Sequence, residues 1–448
     1  MSAVVQWQEY AAVASLPLLA DPDLSRPIAW RDGAPVCASA FLAEVLALAA
    51  QLPGQRYAVN LCEDRYRFLV AFCAVAVAGQ TNLLPGARTP LAIAETLHAN
   101  PDSYILSERT LADVPAYQFV MPEPRADTTG PMPSIPTDHV IAIAYTSGST
   151  GAPKANPKTW GAVCASTRFN AAVLCGNGAP SLVATVPAQH MYGLELSVLL
   201  PLRSRAAIHA AQPFFPADIA DTLALLPTPR MLVTTPHHLR ALLRADQDLP
   251  TLEAIVSATA PLDAELAQAT ETRWNTRVIE LFGSTETCVI ARRRTASGEP
   301  WHLYAGVALL PQPDGTWVSA PHFSAPVLLQ DLVEVLADGH FHLRGRNHDL
   351  LEIAGKRASL ADLNRRLLSV PGVRDGVVFT LDADARGVSR LAALVVAPDV
   401  DETQILVALR AAIDPVFLPR PLRRVAALPR NATGKLPRVA LLEAISQP

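Results

Sequence analysis

Tyr145-Thr146-Ser147-Gly148-Ser149-Thr150-Gly151-Ala152-Pro153-Lys154 is the stretch on which the reading of this 448-residue chain turns. An apolar run over 140–144 leads into it and predicts a buried strand. Gly148 and Gly151 remove side chains where a backbone turns sharply or approaches a ligand closely. The hydroxyls and N–H groups of such a loop form a concave anion nest, and Lys154 adds a compact positive charge. The chemistry indicated is phosphate handling. Two other readings compete. A Walker P-loop needs Gly-x-x-x-x-Gly-Lys-Ser/Thr, whereas here Ala152 and Pro153 separate Gly151 from the lysine. A flexible Ser/Gly linker shares the composition, and the apolar strand before the loop argues against it.

Outside this stretch, composition narrows the classes. Half the residues are hydrophobic, which fits a folded chain with a large core, and the length allows two or three domains. A net charge of −4 gives no general attraction to nucleic acid or anionic membrane. The six cysteines include no Cys-x-x-Cys pair, so they read as buried apolar residues in a reducing compartment. The first twenty residues carry Glu9 and lack a basic start, unlike a secretory signal. The apolar run 68–79 is shorter than the ~20 residues of a membrane span. A cytoplasmic protein with no membrane span is expected. Only four of the 37 basic residues are lysine: Lys154, Lys158, Lys356 and Lys435. In a chain that uses arginine by default, a retained lysine points to a need for a compact ammonium.

Strands over 57–62, 103–106, 140–144, 181–186, 230–234, 252–257 and 278–281 alternate with helices over 39–51, 64–78, 90–100 and 160–175. That order predicts a layered α/β architecture with parallel strands. In such sheets ligands sit beyond the carboxyl ends of the strands. Three motifs fall there: Pro187-Ala188-Gln189-His190-Met191-Tyr192-Gly193, Ala258-Thr259-Ala260-Pro261-Leu262 and Phe282-Gly283-Ser284-Thr285-Glu286-Thr287. His190 reads equally well as a site residue or as a hydrogen-bonded histidine at a helix start. Asp331 is followed fourteen residues later by Gly345 and then Arg346, with a hairpin turn at Asp338-Gly339 between. Near the end, Pro429-Arg430-Asn431-Ala432-Thr433-Gly434-Lys435 closes a polar loop with a lysine.

Taken in order, these motifs resemble those of the acyl-adenylate-forming superfamily: acyl- and aryl-CoA synthetases, adenylation domains of peptide synthetases, and luciferases. The resemblance runs from about Val140 to Arg438. It implies a large multi-layer α/β domain over 1–346, binding ATP and the acid, and a small mobile α+β lid domain over 347–448. It places the β- and γ-phosphates of ATP on Thr146, Ser147, Gly148, Ser149, Thr150, Gly151 and Lys154. Adenine falls on Thr259 and Ala260, where the family usually has glycines at Ala258 and Thr259. The Phe282 ring offers a stacking face, with Gly283 and Ser284 alongside. Thr285 bonds the α-phosphate, and Glu286 is the Mg²⁺ ligand. Asp331 holds the ribose hydroxyls and Arg346 completes the nucleotide set. His190 lines the acid pocket, and Lys435 serves as the catalytic lysine. His348 occupies the hinge position. Glu352 stands where many members carry a lysine used in the thiol half-reaction.

The implied reaction has two halves. An aryl or fatty carboxylate attacks the α-phosphate of ATP, releasing pyrophosphate, and a thiol then attacks the acyl-AMP. The thiol belongs to CoA or to the phosphopantetheine arm of an acyl carrier protein. A nucleotide-binding scaffold that kept the fold without thioester turnover is the alternative.

Overall fold

The computed structural model describes residues 13–112, 114, 117–123, 130–147, 153–312, 315–346, 350–353, 356–381, 390–431 and 434–446. The chain divides into two compact units: residues 1–308 with 319–327, and residues 309–318 with 328–448.

Two large sheets build the first unit, beside a two-stranded one that pairs Ser15–Pro17 with Ser134–Pro136. One has six strands, ordered Pro153–Thr159, Val140–Ser147, Thr81–Leu84, Tyr57–Asn60, Ser103–Ser107, Gln118–Val120. The other has nine, ordered His302–Leu303, Cys288–Arg293, Arg277–Ser284, Ala254–Ser257, Arg230–Thr234, Ser181–Ala184, Ala207–His209, Pro27–Arg31, Ala34–Cys37. From Arg277–Ser284 to Pro27–Arg31 the nine-stranded sheet is parallel, and antiparallel strands close both ends. The central strands are buried throughout except at the half-buried Arg230, as expected for a parallel sheet covered on both faces. Their carboxyl ends therefore lie on one side, and the three motif loops leave from there.

Local chemistry sets the helix starts. The Asp64 carboxylate caps Arg65–Val77 by accepting the Arg67 N–H, and Thr159 and Thr235 cap Trp160–Leu174 and Pro236–Arg244 in the same way. The helix expected over 39–51 spans Ala38–Ala49, with Cys37 in the cap position and no side-chain cap bond.

The second unit is α+β. Asp375–Thr380, Leu391–Val396 and Leu422–Arg424 form a three-stranded sheet, and Asp331–Val335 with Phe341–Arg346 and Leu350–Ile353 with Lys356–Ser359 form two-stranded ones. Helices Leu360–Leu368 and Glu402–Ala412 pack over a core that includes Leu367, Val378, Ala393, Val395, Ile405 and Leu409. Among the described residues no helix is long and apolar enough to cross a membrane.

Candidate active site

The phosphate loop begins differently from a strand–loop–helix unit. A second strand, Pro153–Thr159, returns antiparallel beside Val140–Ser147, with Lys154 opposite Thr146, before the helix at Trp160. Gly148, Ser149, Thr150 and Gly151 lie outside the described residues, as does the Ser147 side chain. What is described is the frame that holds them. Asn156 donates its side-chain amide to Ala144 O at 3.2 Å, Lys154 O at 3.1 Å and Thr146 Oγ1 at 3.4 Å. Thr146 and Lys154 are thereby anchored on both arms of the loop.

The Phe282–Thr287 motif closes the adjacent sheet edge. Strand Arg277–Ser284 turns back into Cys288–Arg293 through a bulge at Phe282/Gly283. Inside the turn, Ser284 N–H donates to Thr287 Oγ1 at 3.0 Å and Thr287 N–H to Ser284 Oγ at 3.2 Å. Thr285 and Glu286 stand half-buried at the tip. Lys154 Nζ reaches Glu286 Oε1 at 4.0 Å, so the phosphate-loop lysine and the candidate metal carboxylate meet. Both are partly exposed and the pair is long, so it contributes little to stability. Its interest is that an ammonium and a carboxylate from two of the sequence motifs come together. The Phe282 ring packs tilted on Trp301 with centroids 5.4 Å apart, and the Arg293 guanidinium lies 4.6 Å over Trp301.

Thr259, exposed, sits at φ +77°, and Ala260 is exposed beside it. The turn thus demands a glycine-like backbone from a β-branched residue, which costs of order 1–3 kcal/mol. The expected outcome for Thr259→Gly is stabilisation by about 1 kcal/mol after the unfolded-state entropy of glycine is subtracted, read by urea unfolding. Destabilisation would show that the Thr259 side chain is used. The turn is fastened from below: the buried Glu280 carboxylate accepts Leu262 N–H at 3.0 Å, Arg293 Nε at 2.6 Å and Thr295 Oγ1 at 2.6 Å.

His190 is half-buried and opens the short helix Met191–Leu194. Tyr192 OH donates to Val256 O at 2.9 Å, tying this loop to strand Ala254–Ser257, two strands along the sheet. Burial holds the Tyr192 phenol protonated, far above its ordinary range. A Cβ at Gly193 would stand 2.0 Å from Pro187 O, so the loop closes on itself only through glycine. Arg65, fully buried, donates to Ala184 O at 2.9 Å and Val186 O at 2.7 Å, which fixes where the loop departs from its strand.

The second unit carries Asp331, Arg346 and Lys435. Asp331 and Arg346 are directly opposite in an antiparallel pair, and Gly339 at φ +83° makes the expected hairpin turn between them. The Arg346 and Glu352 side chains and His348 lie outside the described residues. Lys435 is exposed at the end of its loop.

Four buried polar residues hold these loops: Arg65, Glu195 and Glu280, which the sequence reading missed, and Lys158, which it noted without a role. Lys158 had a signal in the rarity of lysine. Glu195 had one as the only acid in the apolar run 191–202.

Among the described residues no group of three or more His, Cys, Asp or Glu is arranged to hold a metal. A single hard carboxylate such as Glu286 fits Mg²⁺, which takes one or two carboxylates and completes its shell with substrate phosphates and water. A depression of about 500 Å³ lined by Leu252, Glu253, Arg277 and Arg294 among others opens at the amino ends of the strands, away from these loops.

Residues 43–312 match the family model for AMP-binding enzymes. A sulfoacetate–CoA ligase of Cupriavidus necator is 27% identical over 360 residues, covering 70% of this chain and 69% of the relative. A 4-coumarate–CoA ligase of Cereibacter sphaeroides is 29% identical over 299 residues, covering 65% and 69%. The ATP-bound structure of MatB from Rhodopseudomonas palustris superposes with a TM-score of 0.79 at 20% identity, covering 95% of this chain and 97% of that one; this likeness concerns the fold. With the family model spanning more than half of the chain, the protein belongs to the AMP-binding enzyme family of ATP-dependent, AMP-forming acid–thiol ligases.

Proposed function

We propose that the protein joins an aryl or fatty carboxylic acid to AMP at the carboxyl-end loops of the first unit and then passes the acyl group to CoA or to a carrier-protein phosphopantetheine. The observation that carries the site assignment is the approach of Lys154 Nζ to Glu286 Oε1, 4.0 Å apart. The coumarate ligase supports an aryl acid, and the CoA ligases support CoA as the acceptor. The six cysteines are all free thiols, in keeping with a cytoplasmic location.

Two anions must meet in the first step, so positioning and charge stabilisation dominate. The loop 146–154 holds the β- and γ-phosphates, and Thr285 bonds the α-phosphate. Bound Mg²⁺ would neutralise phosphate charge beside Glu286. Phe282, Gly283, Ser284, Thr259 and Ala260 cradle the base, Asp331 and Arg346 the ribose side, and His190 the acid. Lys435 stabilises the attacking carboxylate and the α-phosphate. Residues 347–448 act as the lid that delivers Lys435 about a hinge at His348; the core that includes Leu367, Val378, Ile405 and Leu409 lies within those residues and supports a lid that moves as one body.

A panel of aryl, fatty and small acids, with hydroxylamine trapping of the adenylate, tests this reading. Hydroxamate should form with at least one aryl or fatty acid and depend on ATP. Repeating it with CoA and with a holo carrier protein identifies the acceptor. No hydroxamate from any aryl or fatty acid contradicts the acid assignment. Glu286→Gln should raise the Mg²⁺ concentration for half-maximal activity about tenfold, since ligand charge sets affinity. An unchanged Mg²⁺ titration removes Glu286 as the ligand.

A further inference from the structure

Glu195 stands in the π-helical turn Glu195–Leu199, immediately after the 187–193 loop. Single π turns recur at functional sites. The residue is 2% exposed. Its Oε1 and Oε2 each accept the Val289 N–H at 3.2 Å, and Oε1 also accepts the Ser166 hydroxyl at 2.9 Å and the Asn170 amide at 3.5 Å. Asn170 is itself held by the Tyr304 hydroxyl at 3.0 Å. Val289 is no ordinary strand residue. It faces Gly283 in the ladder, and its neighbour Cys288, at φ +57°, faces Ser284. The Glu195 carboxylate therefore grips the return limb of the turn that presents Thr285 and Glu286. That turn is held elsewhere too: Lys158 Nζ donates to Glu286 O at 3.2 Å, and His322 Nε2 to Thr287 O at 2.9 Å.

A carboxyl group buried this deeply is a poor way to gain stability. Burial raises its pKa to about 7, although the Val289 N–H, Ser166 and the Lys158 ammonium pull the other way. An apolar side chain would fill the space without that cost, so the geometry the carboxyl imposes is the reason for its presence.

We propose that Glu195 is a positioning residue that couples the acid loop to the nucleotide turn, fixing Thr285 and Glu286 through Val289. The inference rests on the functional reading above. It implies that what Glu195 supplies is an acceptor at Val289 N–H, so a side chain that keeps an acceptor keeps the site.

The test measures ATP binding by calorimetry, ATP–pyrophosphate exchange and thermal unfolding for the wild type, Glu195→Ala and Glu195→Gln. Glu195→Ala leaves the Val289 N–H unsatisfied, and ATP should bind about tenfold more weakly. The exchange kcat should fall more than the KM for the acid rises. Glu195→Gln should recover ATP affinity to within about threefold of wild type. Unchanged ATP affinity and kcat in Glu195→Ala, with only a lower melting temperature, overturns the proposal and leaves Glu195 a core residue. Should Glu195→Ala fail to fold, Ser166→Ala removes one donor from the carboxylate without emptying the core. It should weaken ATP binding about threefold, and unchanged affinity there overturns the proposal equally. Wild-type ATP binding separates the two layers: if wild-type protein binds no ATP, the nucleotide site itself is misassigned and the proposal falls with it. If wild type binds and the variants bind equally well, only the role of Glu195 fails.

Discussion

Lys435→Ala will lower acid-dependent ATP–pyrophosphate exchange by ~10²–10³, the loss typical of one preorganised charge at a developing oxyanion, while ATP binding by calorimetry stays within about threefold of wild type. The expectation follows from how the loop is built. Asn431 brackets the lysine: its Oδ1 accepts Lys435 N–H at 2.9 Å and its own N–H donates to Lys435 O at 2.8 Å. Gly434 takes φ +76°, which lets the chain reverse before the lysine. Arg430 donates to Gly434 O at 2.9 Å and forks onto Asp375 at 2.8 and 3.0 Å. That ion pair is largely buried, its side chains 18% and 20% exposed, and it ties the loop to the sheet of the second unit. The ammonium is thus carried on a braced loop, so its removal costs catalysis rather than fold. Lys435→Arg should not rescue, because a planar fork does not place charge where a compact ammonium does. Exchange at the wild-type rate in Lys435→Ala contradicts the role.

Gly283→Ala carries the second large effect. A Cβ there would lie 2.1 Å from Cys288 O and 2.8 Å from Val289 Cα, and both obstacles are backbone of the paired strand. Relief requires the hairpin to open at the residues that position Thr285 and Glu286. Overpacking of this kind destabilises by ~3 kcal/mol, and a shift of about 1 Å in the turn costs roughly 10²-fold in rate. Urea unfolding and exchange kinetics read the two effects. Gly298→Ala is the matched control. Gly298 has φ +69° and nothing within 4 Å of its added Cβ, so it should lose ~1 kcal/mol through backbone strain alone and keep its activity. Equal behaviour of the two variants would show that the contact at Gly283 is not what matters.

The parallel core was legible because its strands are short, apolar and separated by helical stretches. Strand 230–234 was read with the bounds it has, and helix 160–175 runs one residue shorter, to Leu174. Strand Pro153–Thr159 was not read, and the reason is physical. Its buried positions are Asn156 and Lys158, its exposed ones include Pro157, and no apolar alternation marks it. Polar residues face inward there because Asn156 donates to Ala144 O, Thr146 Oγ1 and Lys154 O and Lys158 to Glu286 O, so hydrogen bonds rather than apolar burial hold the strand. The division of the first hundred residues between two sheets was equally hidden. Pro27–Arg31 joins the nine-stranded sheet and Tyr57–Asn60 the six-stranded one through pairings distant in sequence. At the site, contiguous motifs such as 282–287 could be read because their chemistry is local. Glu195, Glu280 and Arg65 act on loops 94, 18 and 119 residues away, and no local pattern announces such reach.

The central claim is that ATP is cleaved between its α- and β-phosphates by an attacking carboxylate. Quantifying nucleotide products over a few turnovers, with each acid of the panel and with none, tests it most directly. AMP and pyrophosphate formed in equal amounts, and only when an acid is present, is the predicted result. ADP with inorganic phosphate, or ATP cleavage indifferent to every acid, would contradict it.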